Sequence, residues 1–392
     1  MSELEQAYET LAAWCRSRGW AGHDPFDGLN SRVFQATPLK ESRLARLAWT
    51  QAFKRAPVSL RTPARVPVGR NAKGTALFAL AALSRFRATG VDAAEREARE
   101  LLDALLAARL AGGSGAAWGY NFDWQGRAFF APRGTPTIVP TAFAVRALVE
   151  AHRAFGDEQQ YLPPARSACD FILRDLKRSE EGADEICFSY TPLDETRVFN
   201  ASLLAGEALA SVGARTGEEE LLTASARAAR YVVRRQRADG SWAYGAAGFQ
   251  GWADNFHTAF ILMSLARISE ACGAAGAEFS APLRRGYEFW RGNFFLADGW
   301  PKYYHDNPYP ADAHSSGAAV VALVELKDRM PDALALADRI INWTLENLRD
   351  PRRGFFYYQR RRFYTIRTPY MRWTQAWMMY ALARRMEVNS KQ

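Results

Sequence analysis

The sequence contains few of the residues that build disulfide frameworks or metal sites. It has four cysteines and five histidines in 392 residues, and no cysteine stands in a CxxC or CxxH spacing. This pattern excludes a zinc finger and a disulfide-stapled scaffold. A metal site from His305, Asp306, Asp312 and His314 is the weakest hypothesis, because their spacing matches no zinc signature. No metal and no cofactor is predicted.

The chain also lacks long apolar runs and a recognisable leader. No stretch reaches the roughly 18 uninterrupted apolar residues that a bilayer-spanning helix needs. The first residues, MSELEQAYETLAAWCRSRGW, are acidic before they are apolar, unlike a secretory signal. We therefore expect a cytoplasmic protein without an integral membrane segment.

Acidic residues are fewer than basic ones, and the formal net charge is +9. Among the basic residues, arginine far outnumbers lysine. The planar guanidinium of arginine suits bidentate contact with carboxylate, sulfate or phosphate, so an anionic ligand is favoured. Nucleic acid is not predicted as a partner, because no helix-turn-helix, RNP or finger pattern accompanies the charge. Arginine-rich solvated helix faces would explain the excess equally well.

A sixfold internal repeat is the strongest signal in the sequence. A small residue followed by leucine recurs late in six apolar segments, and the leucines are separated by 65, 61, 56, 58 and 59 residues: Leu83, Leu148, Leu209, Leu265, Leu323 and Leu382. Amphipathic segments alternate with them, as in 93–110 and 218–236. Two-helix units of this kind must stack to cover their apolar faces. The pattern predicts one all-α (α/α)6 toroid domain over residues 1–392, closed by an outer helix at 3–18.

Long aromatic segments join each outer helix to the next inner helix. All six reach inner helices at their N-termini, so we expect them to line one funnel on one rim. The segments are 20–31, 118–137, 186–200, 237–262, 298–316 and 354–373. Seven residues before the repeat leucines, five of six positions are polar, which predicts either a hydroxyl-lined lumen or caps and backbone-bonded hydroxyls. These positions are Ala76, Thr141, Ser202, Thr258, Ser316 and Gln375.

The segment YVVRRQRADGSWAYG (231–245) resembles the Gln-Trp repeat of squalene and oxidosqualene cyclases. The resemblance implies a structural clasp, in which Gln236 caps an adjoining helix end and Trp242 stacks on it. The Asp-rich catalytic motifs of those cyclases, DxDD and DDxxD, do not occur in this sequence. Cyclase activity is therefore not expected.

Most of the chain resembles bacterial exopolysaccharide and capsule biosynthesis proteins of the VpsJ type. The resemblance is carried by WGYNFDWQGRAFFAPRGTPTIVPTAF (118–143), WADNFHTAFIL (252–262) and RRFYTIRTPYMRWTQAWMMYAL (361–382). It implies polysaccharide metabolism without naming a reaction, and it leaves open an association with polysaccharide assembly machinery. The final segment is loosely similar to sugar-active (α/α)6 enzymes such as N-acylglucosamine 2-epimerases, unsaturated glucuronyl hydrolases, uronate lyases and glucuronyl C5-epimerases.

The leading functional hypothesis is proton abstraction from an anionic, uronate-type sugar, as in an epimerase or lyase. Such chemistry needs a base, an acid and a donor that stabilises the developing enolate. Candidate catalytic residues are His257, His314, Tyr303 and Tyr357. The substrate-binding candidates are aromatic, amide and arginine side chains of the same segments: Trp118, Tyr120, Asn121, Trp124, Arg127, Tyr190, Trp252, Asn255, Tyr304, Arg360, Arg372 and Trp373.

Two alternatives stay open. A glycoside hydrolase would use two facing carboxylates, for which Asp123 and Asp254 are the candidates. Asp254 precedes an apolar run and is equally typical of a helix N-cap. The non-enzymatic alternative is a saccharide-binding or assembly protein, which would keep the aromatic rings without an opposed catalytic pair.

Overall fold

Helical hairpins arranged in a ring dominate the computed structural model, which describes residues 2–156 and 159–391. Within these residues the chain forms fourteen α-helices. In chain order they are α1 (Glu3–Arg16), α2 (Arg32–Gln35), α3 (Arg43–Arg55), α4 (Ala72–Thr89), α5 (Asp92–Ala107), α6 (Ile138–Ala154), α7 (Leu162–Asp170), α8 (Phe199–Thr216), α9 (Glu219–Val233), α10 (Asn255–Ala271), α11 (Ser280–Phe294), α12 (Ala313–Glu325), α13 (Ala333–Leu348) and α14 (Ala376–Asn389).

The inner layer of the ring consists of α4, α6, α8, α10, α12 and α14. Each inner helix packs against the next one along the chain, and α14 packs against α4. The outer layer consists of α1, α5, α7, α9, α11 and α13, and α1 packs against α14 as predicted for the closing helix. The architecture is the all-α (α/α)6 toroid that the repeat predicts.

Burial distinguishes the two layers. In α12 every residue from Ala313 to Val324 is buried. Gly317 allows α14 to approach closely, because a Cβ at this position would lie 2.9 Å from the Trp377 backbone. The outer helix α5 instead buries one stripe at three- and four-residue spacing: Ala98, Leu101, Leu102 and Leu105.

The aromatic segments contain short strands, which the sequence analysis does not predict. Strands β1 (Trp124–Gln125) and β2 (Phe130–Ala131) form one hairpin, and β3 (Arg178–Glu181) and β4 (Ile186–Phe188) form a second. The last two segments share an antiparallel four-stranded sheet with the order β5 (Lys302–Tyr304), β6 (Asn307–Asp312), β7 (Gln359–Arg360) and β8 (Thr365–Ile366). Backbone pairing therefore ties neighbouring segments together on the rim.

The first segment is larger than the predicted 20–31. Residues 20–71 form a cap that includes α2 and α3 and lies between α1 and α4. The fully buried Arg61 donates to the Asp27 carboxylate at 2.8 Å and to the Asp24 carbonyl at 2.6 Å. These bonds hold Arg61 against the first residues of the cap, which follow α1.

The polar residues seven positions before the repeat leucines bond to backbone. Thr141 accepts a hydrogen bond from the Trp118 backbone N–H at 3.0 Å. Gln375 accepts from the Phe356 N–H and donates to the Phe356 carbonyl, each at 2.8 Å. Of the two predicted roles, the backbone-bonded one is found, and Thr141 and Gln375 attach aromatic segments to inner helices.

Gln236 and Trp242 connect successive hairpins. The Gln236 amide donates to the carbonyls of Gly240 and Pro282, each at 2.9 Å, and Pro282 lies in the first turn of α11. The buried Trp242 indole N–H donates to the Val232 carbonyl at 2.9 Å. The end of α9 is thereby held against the start of the next outer helix.

A ring of ion pairs links all six inner helices at the end opposite the aromatic rim. We call it the charge ring, and its four arginines and four glutamates alternate in sign between neighbouring helices. The pairs lie 2.6 to 3.5 Å apart: Arg87–Glu150, Arg87–Glu387, Arg146–Glu207, Arg267–Glu207, Arg267–Glu325 and Arg384–Glu325. It joins helices that are distant in sequence, and its charges cancel.

Acid should weaken the charge ring. Burial acts to raise the pKa of Glu325 and Glu387, but the surrounding arginines outweigh it and lower both values from 4.5 to about 2. A carboxylate with a lowered folded-state pKa stabilises the fold above its unfolded pKa, and this stabilisation disappears as pH falls through the folded value. We expect the free energy of unfolding, from denaturant titrations, to fall between pH 4.5 and about pH 2.

The matched variant is Glu325→Gln, which cannot ionise at this position. It should be less stable than the wild type at neutral pH and should lose less stability across the same acid range. Parallel pH profiles for the two proteins would contradict a role for this carboxylate.

Candidate functional site

A cavity of 490 Å³ opens at the rim where the inner helices begin. Its size is within the range of about 300–1,000 Å³ that is typical of small-molecule sites. All six aromatic segments contribute lining residues, as does α3. Besides tyrosines, the ionisable lining residues are Lys54, Arg55, Lys73, Arg127, Asp254, His257, His314 and Arg372.

Asp254 has two roles at the start of α10. One carboxylate oxygen caps the helix by accepting from the His257 backbone N–H at 3.0 Å, and the other lies 2.7 Å from Nδ1 of His257. The Trp252 indole N–H also donates to this second oxygen, at 3.3 Å. When Nδ1–H is directed at the carboxylate, Nε2 carries the lone pair and is the nitrogen available in the cavity. The helix-cap role predicted for Asp254 is therefore found, and the same carboxylate also contacts the His257 imidazole.

Aromatic rings hold the His257 imidazole in place. The Tyr244 ring meets it edge-on at 4.7 Å between centroids and stacks on Trp252 at 4.9 Å with an interplanar angle of 12°. The Arg127 guanidinium lies 5.4 Å from the Trp252 ring centroid at the mouth of the cavity. A fixed imidazole is thus bordered by flat apolar surfaces and an exposed cation.

A second aromatic wall comes from the segments before α6 and α8. Trp124 and Tyr190 have ring centroids 5.0 Å apart, and Phe129 contacts both. The hydroxyls of Tyr120 and Tyr190 lie 3.3 Å apart. This wall presents ring faces together with hydroxyl edges, which suits a ligand that has both apolar and polar surfaces.

Arg372 lines the cavity but already has a carboxylate partner. Its guanidinium donates to both oxygens of Asp24, at 2.6 and 2.8 Å. Both side chains are buried, and the guanidinium lies 5.3 Å from the Tyr120 ring centroid. The bidentate contact that we predict between arginine and an anionic ligand is made here with Asp24, which belongs to the cap (residues 20–71).

Two nitrogen-bearing side chains occupy the inner part of the cavity lining. His314 is fully buried, and neither of its ring nitrogens has a hydrogen-bond partner among residues 2–156 and 159–391. Burial lowers the pKa of His314 well below its ordinary value, and nearby Lys73 and Arg372 lower it further. Lys73 is the functional candidate that sequence reasoning missed. The available signal was one cation in the first turn of the otherwise apolar segment AKGTALFALAAL.

Tyr303, Tyr304 and Trp373 complete the predicted residues that line the cavity. Burial raises the pKa of both tyrosine hydroxyls, and the Asp254 carboxylate raises it further. The two phenols are therefore neutral donors at neutral pH. Trp373 packs 4.1 Å from the His314 ring and directs its indole N–H to Asp312 at 3.5 Å.

Two predicted catalytic residues lie outside this cavity. The Asp123 carboxylate accepts from the Arg133 backbone N–H at 2.7 Å, so the β1–β2 hairpin holds it. The Tyr357 hydroxyl donates to Asp350 at 3.2 Å. Asp123 consequently does not face Asp254 across the cavity, as the paired-carboxylate hypothesis requires.

Trp118 and Asn255, both predicted to bind ligand, are instead buried supports of the rim. The Trp118 indole N–H donates to the Leu105 carbonyl at 2.7 Å, as Trp242 does in a later hairpin. The Asn255 amide accepts from the Trp290 indole at 2.9 Å and donates to a backbone carbonyl of β5 at 2.9 Å.

Asn121 and Arg360 line separate depressions outside the main cavity. Asn121 accepts from the Asn71 amide at 2.8 Å beside a 240 Å³ pocket under the cap. Arg360 donates to Asn347 at 2.5 Å and lines a 360 Å³ depression with Trp300. The positions of Asn121 and Arg360 depend on the register of their loops, which residue type alone does not predict.

Residues 2–156 and 159–391 contain no group of three or more His, Cys, Asp or Glu side chains placed to hold a metal ion. In the same part of the chain no helix has the length and apolar character to cross a membrane. His305 and Asp306 do not line the cavity that contains His314.

No family model matches the sequence, and no curated protein matches it. Solved structures do. One is a cellobiose 2-epimerase from Bacillus thermoamylovorans, with a TM-score of 0.64 and 14% identity over 83% of this chain and 90% of that chain. The others include an unsaturated glucuronyl hydrolase specific for heparin (TM-score 0.58, 16% identity, 81% and 86% coverage) and a GH76 α-mannanase from Bacteroides thetaiotaomicron (0.61, 13%, 81% and 86%). The protein shares their fold. Identities this low show common architecture only.

Proposed function

We propose that the protein is a carbohydrate-active enzyme that abstracts a proton from a carbon of an anionic sugar, as an epimerase or lyase does. The observation that carries the proposal is the His257–Asp254 pair in an aromatic-lined cavity. An imidazole that a carboxylate holds in place, and whose Nε2 carries a free lone pair, is a common general base in enzymes. Similar folds in a cellobiose 2-epimerase and an unsaturated glucuronyl hydrolase support sugars as the ligand class.

The chemistry assigns a role to each cavity group. Nε2 of His257 takes the proton from the carbon next to the carbonyl or carboxylate group. The C–H electron pair then forms a C=C bond to that group, and the group's oxygen takes up negative charge as an enolate. Hydrogen-bond donors in the lining, such as the Lys73 amine and the Tyr303 phenol, stabilise that oxygen. Returning a proton to the opposite face gives the epimer, whereas expelling a β-substituent gives an unsaturated sugar.

The charge of the cavity favours an anionic substrate. Its lining has five lysine and arginine side chains, of which Arg372 is paired with Asp24 of the cap, and Asp254 is the only carboxylate that lines it among residues 2–156 and 159–391. A paired-carboxylate hydrolase gains no support from this lining, since Asp123 lies outside. The sequence resemblance to VpsJ-type proteins adds exopolysaccharide biosynthesis as the proposed context, with the polysaccharide assembly machinery as a proposed partner.

The test is hydrogen exchange at the acidic carbon of the substrate. Uronate-containing oligosaccharides, sugar acids and neutral aldoses are incubated with the protein in D₂O, and we expect either an epimer that carries deuterium at that carbon or an unsaturated product. Reducing-end release without deuterium would point to hydrolysis and overturn the proposal. Saccharide binding without exchange, cleavage or unsaturation would identify a non-catalytic binding protein.

A further inference from the structure

Lys73 is a buried lysine without a carboxylate partner. It lies in the first turn of α4, is 3% exposed and makes no ion pair within residues 2–156 and 159–391. Its Nζ lies 4.5 Å from the Phe143 ring centroid, 5.0 Å from Phe260 and 5.4 Å from Trp377. Ring faces attract an ammonium group, but they do not replace a counter-charge.

The surroundings of Lys73 disfavour its charged form. Burial lowers its pKa well below the ordinary value, and the positive charges of Arg372 and Arg146 lower it further, against the opposing effect of Asp24. A buried amine of this kind costs free energy in the free protein. An oxyanion in the cavity would supply the missing counter-charge and favour the protonated amine.

His314 provides further unused polar atoms at the same place. Both its Nδ1 and its Nε2 lack partners within the described residues, although the side chain is fully buried. Lys73 and His314 contact the same two rings, since the His314 ring lies 6.0 Å from Phe260 and 5.1 Å from Trp377. The two side chains therefore share one end of the cavity, and both line it.

We propose that Lys73 and His314 form a subsite that binds the anionic group of a sugar, a carboxylate or a phosphate, at the inner end of the cavity. This inference rests on the proposed function and specifies how the site recognises its substrate. Arg372 would be the obvious anion ligand, but Asp24 occupies both prongs of its guanidinium. Lys73 supplies up to three N–H donors and neutral His314 one, which matches an oxyanion with several acceptor lone pairs.

The proposal is tested by binding, with no need for turnover. Affinities for glucuronate, glucose 6-phosphate and glucose are measured by calorimetry for the wild type, Lys73→Met and His314→Phe. We expect the wild type to prefer one or both anionic sugars over glucose. Lys73→Met should weaken the preferred anion by about 10- to 100-fold, as for the loss of one charge-assisted hydrogen bond, and leave glucose affinity within threefold. The anionic sugar whose affinity falls shows whether the subsite binds a carboxylate or a phosphate.

A stability measurement separates this role from a structural one. Methionine fills the same ring cage without a charge, so Lys73→Met should unfold at the same temperature as the wild type or higher. Lys177→Met, which removes an exposed lysine paired with Glu195, is the matched control and should change no affinity. A structural lysine would give the opposite result, a lower unfolding temperature with equal losses for all three sugars.

The outcomes separate the subsite from the catalytic proposal. Anion binding that depends on Lys73, with neither deuterium exchange nor an unsaturated product from any substrate, would keep the subsite and reject the enzyme. Exchange in a protein that binds glucuronate, glucose 6-phosphate and glucose equally well would keep the enzyme and reject the subsite. Unchanged anion affinity in Lys73→Met also overturns the subsite.

Discussion

His257→Asn should lower the rate of deuterium exchange into the substrate by about 10²- to 10⁴-fold, the contribution of a positioned general base. The asparagine amide can occupy the place of Nδ1 and keep a hydrogen bond to Asp254, but it has no counterpart of Nε2. Substrate affinity should change little, because the aromatic walls and the Lys73 end of the cavity remain. Exchange is measured by mass spectrometry at saturating sugar.

The companion variant Asp254→Asn separates orientation from helix capping. Its amide oxygen can still accept from the His257 backbone N–H, so the N-cap is preserved and the stability of α10 should be nearly unchanged. The amide N–H₂ cannot accept a hydrogen bond from Nδ1–H, so the imidazole adopts the tautomer whose Nε2 carries the proton. Exchange should fall in this variant too, with the substrate still bound.

Folding and binding measurements test whether a loss of activity comes from misfolding or from weaker substrate binding. Both variants should unfold within a few degrees of the wild type and bind sugar as it does. If His257→Asn exchanges deuterium within threefold of the wild-type rate, His257 is not the base. Loss of exchange in His257→Asn alone, with full activity in Asp254→Asn, would reduce Asp254 to a helix cap.

The architecture could be predicted from the sequence because burial leaves a periodic trace. Each inner helix is enclosed by neighbours on nearly all sides, so apolar residues such as those around Leu148 and Leu323 fill whole segments. Outer helices show the three- and four-residue spacing of one buried stripe. Residues 43–55 do not show either pattern, because α3 buries only Thr50 and Phe53 and its sequence does not repeat elsewhere. The repeat pattern therefore does not predict α3.

The site was predicted only in part, because rim position depends on register and pairing. Residues that enter an inner helix directly, such as His257 and His314, line the cavity. Asp123 does not, since a two-residue strand pairing turns it onto backbone. The sequence does not predict Lys73 as a site residue, because one lysine in an apolar helix commonly reaches solvent. Only ring closure brings Phe143, Phe260 and Trp377 around its amine.

The sequence pattern does not reveal the charge ring, in which Glu207 joins two of the arginines. Its carboxylate accepts from Arg146 at 2.6 and 2.7 Å, from Arg267 at 2.9 Å and from the Ser264 hydroxyl at 2.8 Å. Burial acts to raise its pKa, but the two arginines outweigh this and lower it, so Glu207 is ionised in the folded protein at neutral pH. The Glu207 and Arg146 side chains are both 4% exposed.

Glu207→Ala should lower the free energy of unfolding by about 3–5 kcal/mol, because it leaves Arg146 buried without a counter-charge. Arg267 retains Glu325 and should be less affected. Denaturant titration at neutral pH measures the loss. The matched control is Glu195→Ala, which breaks the exposed pair with Lys177 and should cost at most about 1 kcal/mol.

A double variant identifies the cause of the loss. Arg146→Leu combined with Glu207→Leu removes both charges and fills the space with apolar atoms, so it should be more stable than Glu207→Ala alone. Recovery of this kind assigns the cost to the unpaired guanidinium, since deleting two partners then harms the fold less than deleting one. If the double variant is instead the less stable protein, the ion pair itself contributes net stability. A loss below about 1 kcal/mol in Glu207→Ala would mean that Arg146 finds water or another acceptor at the closed end of the toroid.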